Sequence, residues 1–125
     1  MPQISPPSGQ ENISNQPRPL MLVVTHRNPN PVLGALPKYS YVYNVRMEVI
    51  EAFDGGITLK VGNETDDDAY CTATAVASLG IKSPSAGAGV GYDDTSRTVK
   101  ALVVGTATQG KAIVIVEWFY VPRVN

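Results

Sequence analysis

Between Tyr39 and Glu51 the side chains alternate with a period of two: Tyr39, Tyr41, Tyr43, Val45, Met47 and Val49 fall on one side, and Ser40, Asn44, Arg46 and Glu48 on the other. That repeat belongs to a half-buried β-strand, and an α-helix cannot satisfy it. The pattern recurs: Ile57-Thr-Leu-Lys-Val61 alternates, Thr98 to Val104 and Ala112 to Val121 read as further strands, and Ala69 to Ala77 reads as a strand in preference to a short helix. Phe53-Asp54-Gly55-Gly56 and the segment Gly105 to Gly110 supply turn chemistry, because glycine accepts the positive φ that tight loops require. The first of these turns predicts a hairpin across residues 45–61. Residues 80–95, rich in Gly, Ser and Pro, read as a loop with one short strand near Val90 to Tyr92. No window carries helical spacing and no internal repeat is visible. About six to eight short strands with glycine turns define an all-β chain, a β-sandwich or barrel.

The N-terminal third has a different character. Eight of the ten prolines lie in the first 37 residues, interleaved with Ser, Asn and Gln. Proline lacks the amide donor and biases its predecessor toward extended backbone, so residues 1–37 are read as an extended arm and residues 38–125 as the sandwich domain. Within the arm, Leu20-Met-Leu-Val-Val-Thr25 is a β-prone run bounded by prolines; it is either the first strand or a clamp that adds to a neighbour's sheet. On the clamp reading, removing residues 1–25 leaves the body folded.

The last strand is apolar on both faces: Ile113, Ile115, Phe119 and Val121 take one side, and Val114, Val116, Trp118 and Tyr120 the other. Either one face packs in the core and the other against another subunit or the arm, or the strand is central and buried on both sides. Tyr39, Tyr41 and Tyr43 offer a sugar platform or an interface, but a core face with phenol tips reaching solvent fits them better. The candidate partner-binding residues are Leu20, Met21, Leu22, Val23 and Val24 in the arm, with Tyr39, Tyr41, Trp118 and Tyr120 in the body.

Charged residues make up 17% of the chain, below the roughly 25% of an average soluble domain, which suggests that part of the surface is covered. A formal net charge of -1 gives no basic stripe for displacing counterions, so no nucleic-acid partner is expected. The longest apolar run, interrupted by Glu117, is half a membrane-spanning helix, so no membrane partner is expected either. The N-terminal residues carry neither the basic nor the apolar region of an export signal, and lone Cys71 has no partner for an internal disulfide. His26 is the sole histidine and stands apart from any nucleophile motif; no zinc, phosphate or acyl-transfer signature is present, and neither catalysis nor a cofactor is expected. The acidic run Glu64 to Asp68 lacks the spacing and glycine of a calcium loop and reads as a solvated turn, as does Asp93-Asp94. Gly87 to Gly91 has no strand-to-helix unit around it, so it is a loop and not a nucleotide cradle. A small carbohydrate-cleaving enzyme is a further possibility, resting only on the acidic loop and the tyrosines.

The stretch Tyr43 to Tyr70 (YNVRMEVIEAFDGGITLKVGNETDDDAY) and the stretch Gly105 to Trp118 (GTATQGKAIVIVEW) together resemble a pattern of small structural proteins of tailed bacteriophages. The resemblance implies a virion component of jelly-roll-like fold: a decoration (cement) protein on the outside of the head that bridges major capsid protein subunits. The alternative is a tail or head-fibre component contacting receptor glycan. The implied partners are the major capsid protein and further copies of the chain, as a homodimer or homotrimer. The implied location is the capsid surface, after assembly in the host cytoplasm.

Overall fold

A computed structural model describes residues 18–121, so the proline-rich segment 1–17 lies outside the described residues. These residues form nine strands: β1 (Leu20–Thr25), β2 (Val32–Leu36), β3 (Ser40–Glu51), β4 (Thr58–Gly62), β5 (Cys71–Ala75), β6 (Gly80–Lys82), β7 (Gly91–Asp93), β8 (Arg97–Val104) and β9 (Lys111–Tyr120). The larger sheet has the order β1-β9-β3, with β6 and β7 both on the far side of β3; the smaller has the order β2-β8-β4-β5. Every pairing is antiparallel. The pairs nest inside one another, β4 with β5, β3 with β6 and β7, β2 with β8, and β1 with β9. One long hairpin folded over on itself gives that nesting, and the result is a jelly-roll-like sandwich.

The sheets close on a core of β-branched and other aliphatic side chains. Met47, Val49, Val114 and Val116 from the larger sheet face Leu59, Val61, Val99 and Ala101 from the smaller, and all are at most 2% exposed. β-Branched residues suit pleated strands, and each fully buried side chain of this size contributes about 1.5–3 kcal/mol. Phe53 closes one end of the core. Gly110, at φ 143°, lies against its ring, so a Cβ there would enter the space the ring fills.

Four expectations from the sequence change. The hairpin across residues 45–61 does not form: β3 pairs with β9, whereas β4 pairs with β5 and β8 in the other sheet. Phe53-Asp-Gly-Gly56 is a sheet-crossing arch, and local turn chemistry does not distinguish an arch from a hairpin. It is anchored away from β3, by Phe53 N–H donating to Val76 O and by the Thr108 and Gln109 amides donating to Asp54. Tyr41 and Tyr43 do not face the core. A β-bulge between Val42 and Asn44 reverses the parity of β3, so Ser40 and Val42 point inward with Val45, Met47 and Val49, while both tyrosines point out. Tyr39 sits in the preceding turn at φ 68°, its N–H donating to Asp93 O and its carbonyl accepting from Val121 N–H.

The boundary expected at Lys38 also moves. β1 and β2 supply the first strand of each sheet, and Val24 and Leu36 lie in the core, so the sandwich starts at Leu20. Leu20 to Thr25 is the first strand of its own domain, paired along its whole length with β9, and removing residues 1–25 would take a sheet edge with it.

Candidate functional site: the outer face of the larger sheet

β9 lies between β1 and β3, and its two apolar faces separate cleanly. Ala112, Val114 and Val116 are buried in the core, whereas Ile113, Ile115, Glu117 and Phe119 point away from it. Cross-strand register then assembles a continuous outer surface: Met21 beside Ile115, Val23 beside Ile113, Arg46 beside Ile115, Glu48 beside Ile113, and Ile81 beside Glu48. The middle of this surface is a groove of about 500 Å³ lined by Met21, Arg46, Glu48, Ile81, Ile113 and Ile115 among others.

Toward the Tyr120 end the same face becomes aromatic. Tyr41 lies opposite both Phe119 on β9 and Tyr92 on β7, with Tyr43 in the bulge alongside. The Tyr41 and Phe119 rings stack at a centroid distance of 5.0 Å and an interplanar angle of 10°, and Tyr43 packs on Phe119 at 5.6 Å. Rings that stack on one another in this way present their edges outward, which is poor geometry for a flat sugar platform. Between groove and aromatic cluster, Glu117 accepts a hydrogen bond from Asn44 Nδ2 at 2.9 Å and lies 3.8 Å from the Arg46 guanidinium. An exposed pair of this kind contributes at most about 1 kcal/mol. Its effect is to hold both charges flat beside the apolar surface.

The candidate residues read from the sequence divide between two places. Met21, Val23 and Tyr41 lie on this outer face. Leu20, Leu22 and Val24 point toward the sandwich interior, Val24 being fully buried. Trp118 has the inward parity of Val114 and Val116 and packs on the edge of the core; its Nε1–H donates to Arg18 O at 2.8 Å, pinning the chain where it enters β1. Tyr120, with the same parity, projects beyond the core and is exposed. The sequence reading missed Ile81 and Tyr92, which sit in three-residue strands too short to show a period.

The acidic loop is built around Asn63, whose buried Oδ1 accepts hydrogen bonds from Thr65 N, Thr65 Oγ1 and Asp66 N, while its Nδ2 donates to Tyr70 Oη. Carboxylate oxygens of Asp66, Asp67 and Asp68 come within 4.8 Å of one another, with Lys60 3.6 Å from Asp67. A hydrogen bond with Asp66, burial and its acidic neighbours push the Asp68 carboxyl up. Clustered exposed carboxylates with a lysine beside them are what a solvated turn presents. His26 Nδ1 has no hydrogen-bond partner among the described residues. Burial pushes the thiol of Cys71 up, so it stays a buried, neutral group.

The geometry thus defines a jelly-roll-like sandwich with one apolar outer face. Three chains from solved phage capsids share this fold. One, from the cyanophage Pam1 capsid asymmetric unit, is 21% identical, with a TM-score of 0.54 over 83% of this chain and 86% of that one. Another, from the capsid of Ralstonia phage GP4, is 19% identical, with a TM-score of 0.56 over 88% of each chain. The third, from the acid-stable capsid of Helicobacter pylori bacteriophage KHP30, is 14% identical, with a TM-score of 0.51 over 86% of this chain and 93% of that one. No protein-family model and no curated protein matches the chain.

Proposed function

We propose that the chain is a structural component of a bacteriophage capsid, and specifically a decoration protein that seats the outer face of its larger sheet on the major capsid protein. The observation that carries this reading is that face: an apolar groove edged by Arg46 and Glu48 and an exposed aromatic cluster beyond it, neither of which the monomer needs in order to fold. Monomeric domains rarely leave such a patch open without a partner for it. The capsid chains of similar fold support the class of role. Because the match covers nearly all of both chains in each case, those chains are about the length of this one, which suits an accessory subunit.

The mechanism is additive burial. A contact of standard size buries about 1,600 Å², and repeated over many sites on the outside of the head it opposes the outward pressure of packaged DNA. The partners are the major capsid protein and further copies of this chain, and the protein adds to heads in the bacterial cytoplasm. Heads of the phage that encodes the chain, prepared with and without it, test the proposal: those carrying it should burst at a higher temperature, and equal bursting temperatures would refute it. Copy number separates decoration from the tail or head-fibre alternative, because decoration requires hundreds of copies per particle.

A further inference from the structure

We propose that two copies of this chain pair through the free edge of β1, antiparallel, with the two-fold axis at Leu22, merging their larger sheets into one. The inference stands on the geometry of that edge and does not require the capsid reading.

In an antiparallel ladder, residues alternate between those whose N–H and C=O point at the partner strand and those whose groups point away. His26 N–H donates to Gly110 O, and residues 26 and 110 continue the register in which Leu20 faces Val116 and Thr25 faces Lys111. Leu20, Leu22 and Val24 therefore direct their backbone groups to β9. Met21, Val23 and Thr25 direct theirs to the open side. Thr25 O is taken by Asn28 N–H in the following turn. Among the described residues, no strand occupies the open side of β1. The N–H and C=O of both Met21 and Val23 are thus an unused ladder among the described residues.

The other sheet edges are guarded. β2 is flanked by Pro29, Pro31 and Pro37 and carries a bulge between Val32 and Gly34. The edge beyond β5 is engaged by Thr72 N–H donating to Ser85 O and by the Cys71–Ala86 bridge. The edge beyond β3 is cut into the short strands β6 and β7. β1 is also preceded by a proline, Pro19, but that residue lies outside the Met21 and Val23 ladder; the strand holds no lysine and no internal proline, and its register with β9 is unbroken. Such an edge is a template for strand addition.

The occupant that fits is a second β1. The strand carries no charge, so an antiparallel copy meets no like charge along it. With Leu22 on the axis, Met21 faces Val23 of the other copy and the reverse, which makes four backbone hydrogen bonds and gives the isologous contact that two-fold symmetry requires. Met21 and Val23 also line the outer face, so pairing sets the two grooves side by side on one surface. A single strand pair buries less than the roughly 1,200 Å² of a stable free-standing interface. Pairing in solution is therefore weak and rises with concentration.

Cross-linking tests the register. Directly opposed, hydrogen-bonded residues have Cα atoms about 5.5 Å apart, within disulfide reach. Met21→Cys and Val23→Cys both alter exposed side chains, and native Cys71 is buried. Oxidised with diamide at high protein concentration, a mixture of the two variants should form linked dimers at least about tenfold more than either variant alone. Adding Leu20→Ala, which leaves the edge intact, should not change this, whereas adding Val23→Pro to the Met21→Cys chain, which keeps both thiols in the mixture but removes an edge donor, should remove the link. The proposal is overturned if the mixture links no more than the separate variants. It is equally overturned if linking appears only after residues 1–17 are deleted, because the chain's own N-terminal segment would then be the occupant.

Discussion

The two outer faces of the sandwich cover the same core and are made of different residues. The smaller sheet shows Thr58, Lys60, Ala73, Ala75, Thr98 and Lys100 outward, with Val32 beside Lys100 and with Leu102 and Val104 at one end; the larger shows Met21, Val23, Ile81, Ile113, Ile115 and the cluster around Phe119, with Arg46, Glu48 and Glu117 among them. A threonine and lysine surface is sufficient for an antiparallel sheet whose second face meets water. The fold therefore does not require isoleucines and stacked aromatic rings on the other side, and the proposed function assigns them to contact. On that proposal, inner faces determine whether the chain folds and one outer face determines what it touches.

The largest effect should come from deleting residues 1–25, with a deletion that stops at Pro17 as reference because it leaves every described residue in place. Loss of β1 removes buried Val24 and strips the edge of β9, so the shorter chain should show no cooperative thermal transition by circular dichroism. A native-like transition would mean that the sandwich begins later than Leu20. Next in size, Met47→Ala and Leu59→Ala, one from each inner face, should each lose about 2–5 kcal/mol in urea unfolding, since both leave a cavity in a closed core. A clear inequality between them would show that the two sheets do not share the core evenly.

Smaller in stability but larger in function are changes on the outer faces. Ile81 is 80% exposed, so Ile81→Asp should cost less than about 1 kcal/mol yet weaken binding to heads by about tenfold or more. Lys100→Asp on the opposite face should change neither. Loss of binding by Lys100→Asp alone would exchange the roles assigned to the two faces.

The smallest effect concerns acid. The Thr108 hydroxyl, then the Thr108 and Gln109 amides, hold the Asp54 carboxyl below its ordinary range, tying the arch to the β8–β9 turn. Burial alone would raise Asp93, but the Arg97 guanidinium at 2.7 Å and the Thr95 amide outweigh it and hold that carboxyl low as well. A carboxyl with a depressed folded pKa adds stability above its unfolded pKa and loses it as the pH falls through the folded value. The melting temperature should therefore fall below about pH 4, and Asp54→Asn should flatten that dependence.

Much of the fold was legible because core-facing residues obey a period of two. Thr98 to Val104 and Ala112 to Val121 announced β8 and β9 nearly to the residue, and the doubly apolar β9 marked a strand inside the larger sheet, between β1 and β3. What was not legible was non-local. The bulge at Tyr43 that turns the tyrosines outward depends on how β3 registers with β9, some 70 residues away, and no local pattern encodes it. The arch at Phe53 to Gly56 looks like a hairpin until Asp54 is seen bonded to the turn at Thr108. Prolines around Leu20 to Thr25 suggested a detached arm, although the same six residues form a regular strand whose partner lies near the other end of the chain.

Hydroxyl-radical footprinting of the protein free and bound to heads tests the central claim most directly, because it reads side-chain exposure on both faces in one sample. Binding should protect Met21, Tyr41, Tyr43, Ile81 and Phe119 while Leu102 and Val104 stay as reactive as in the free protein. Protection of Leu102 and Val104 with Tyr43 and Ile81 unchanged would contradict it.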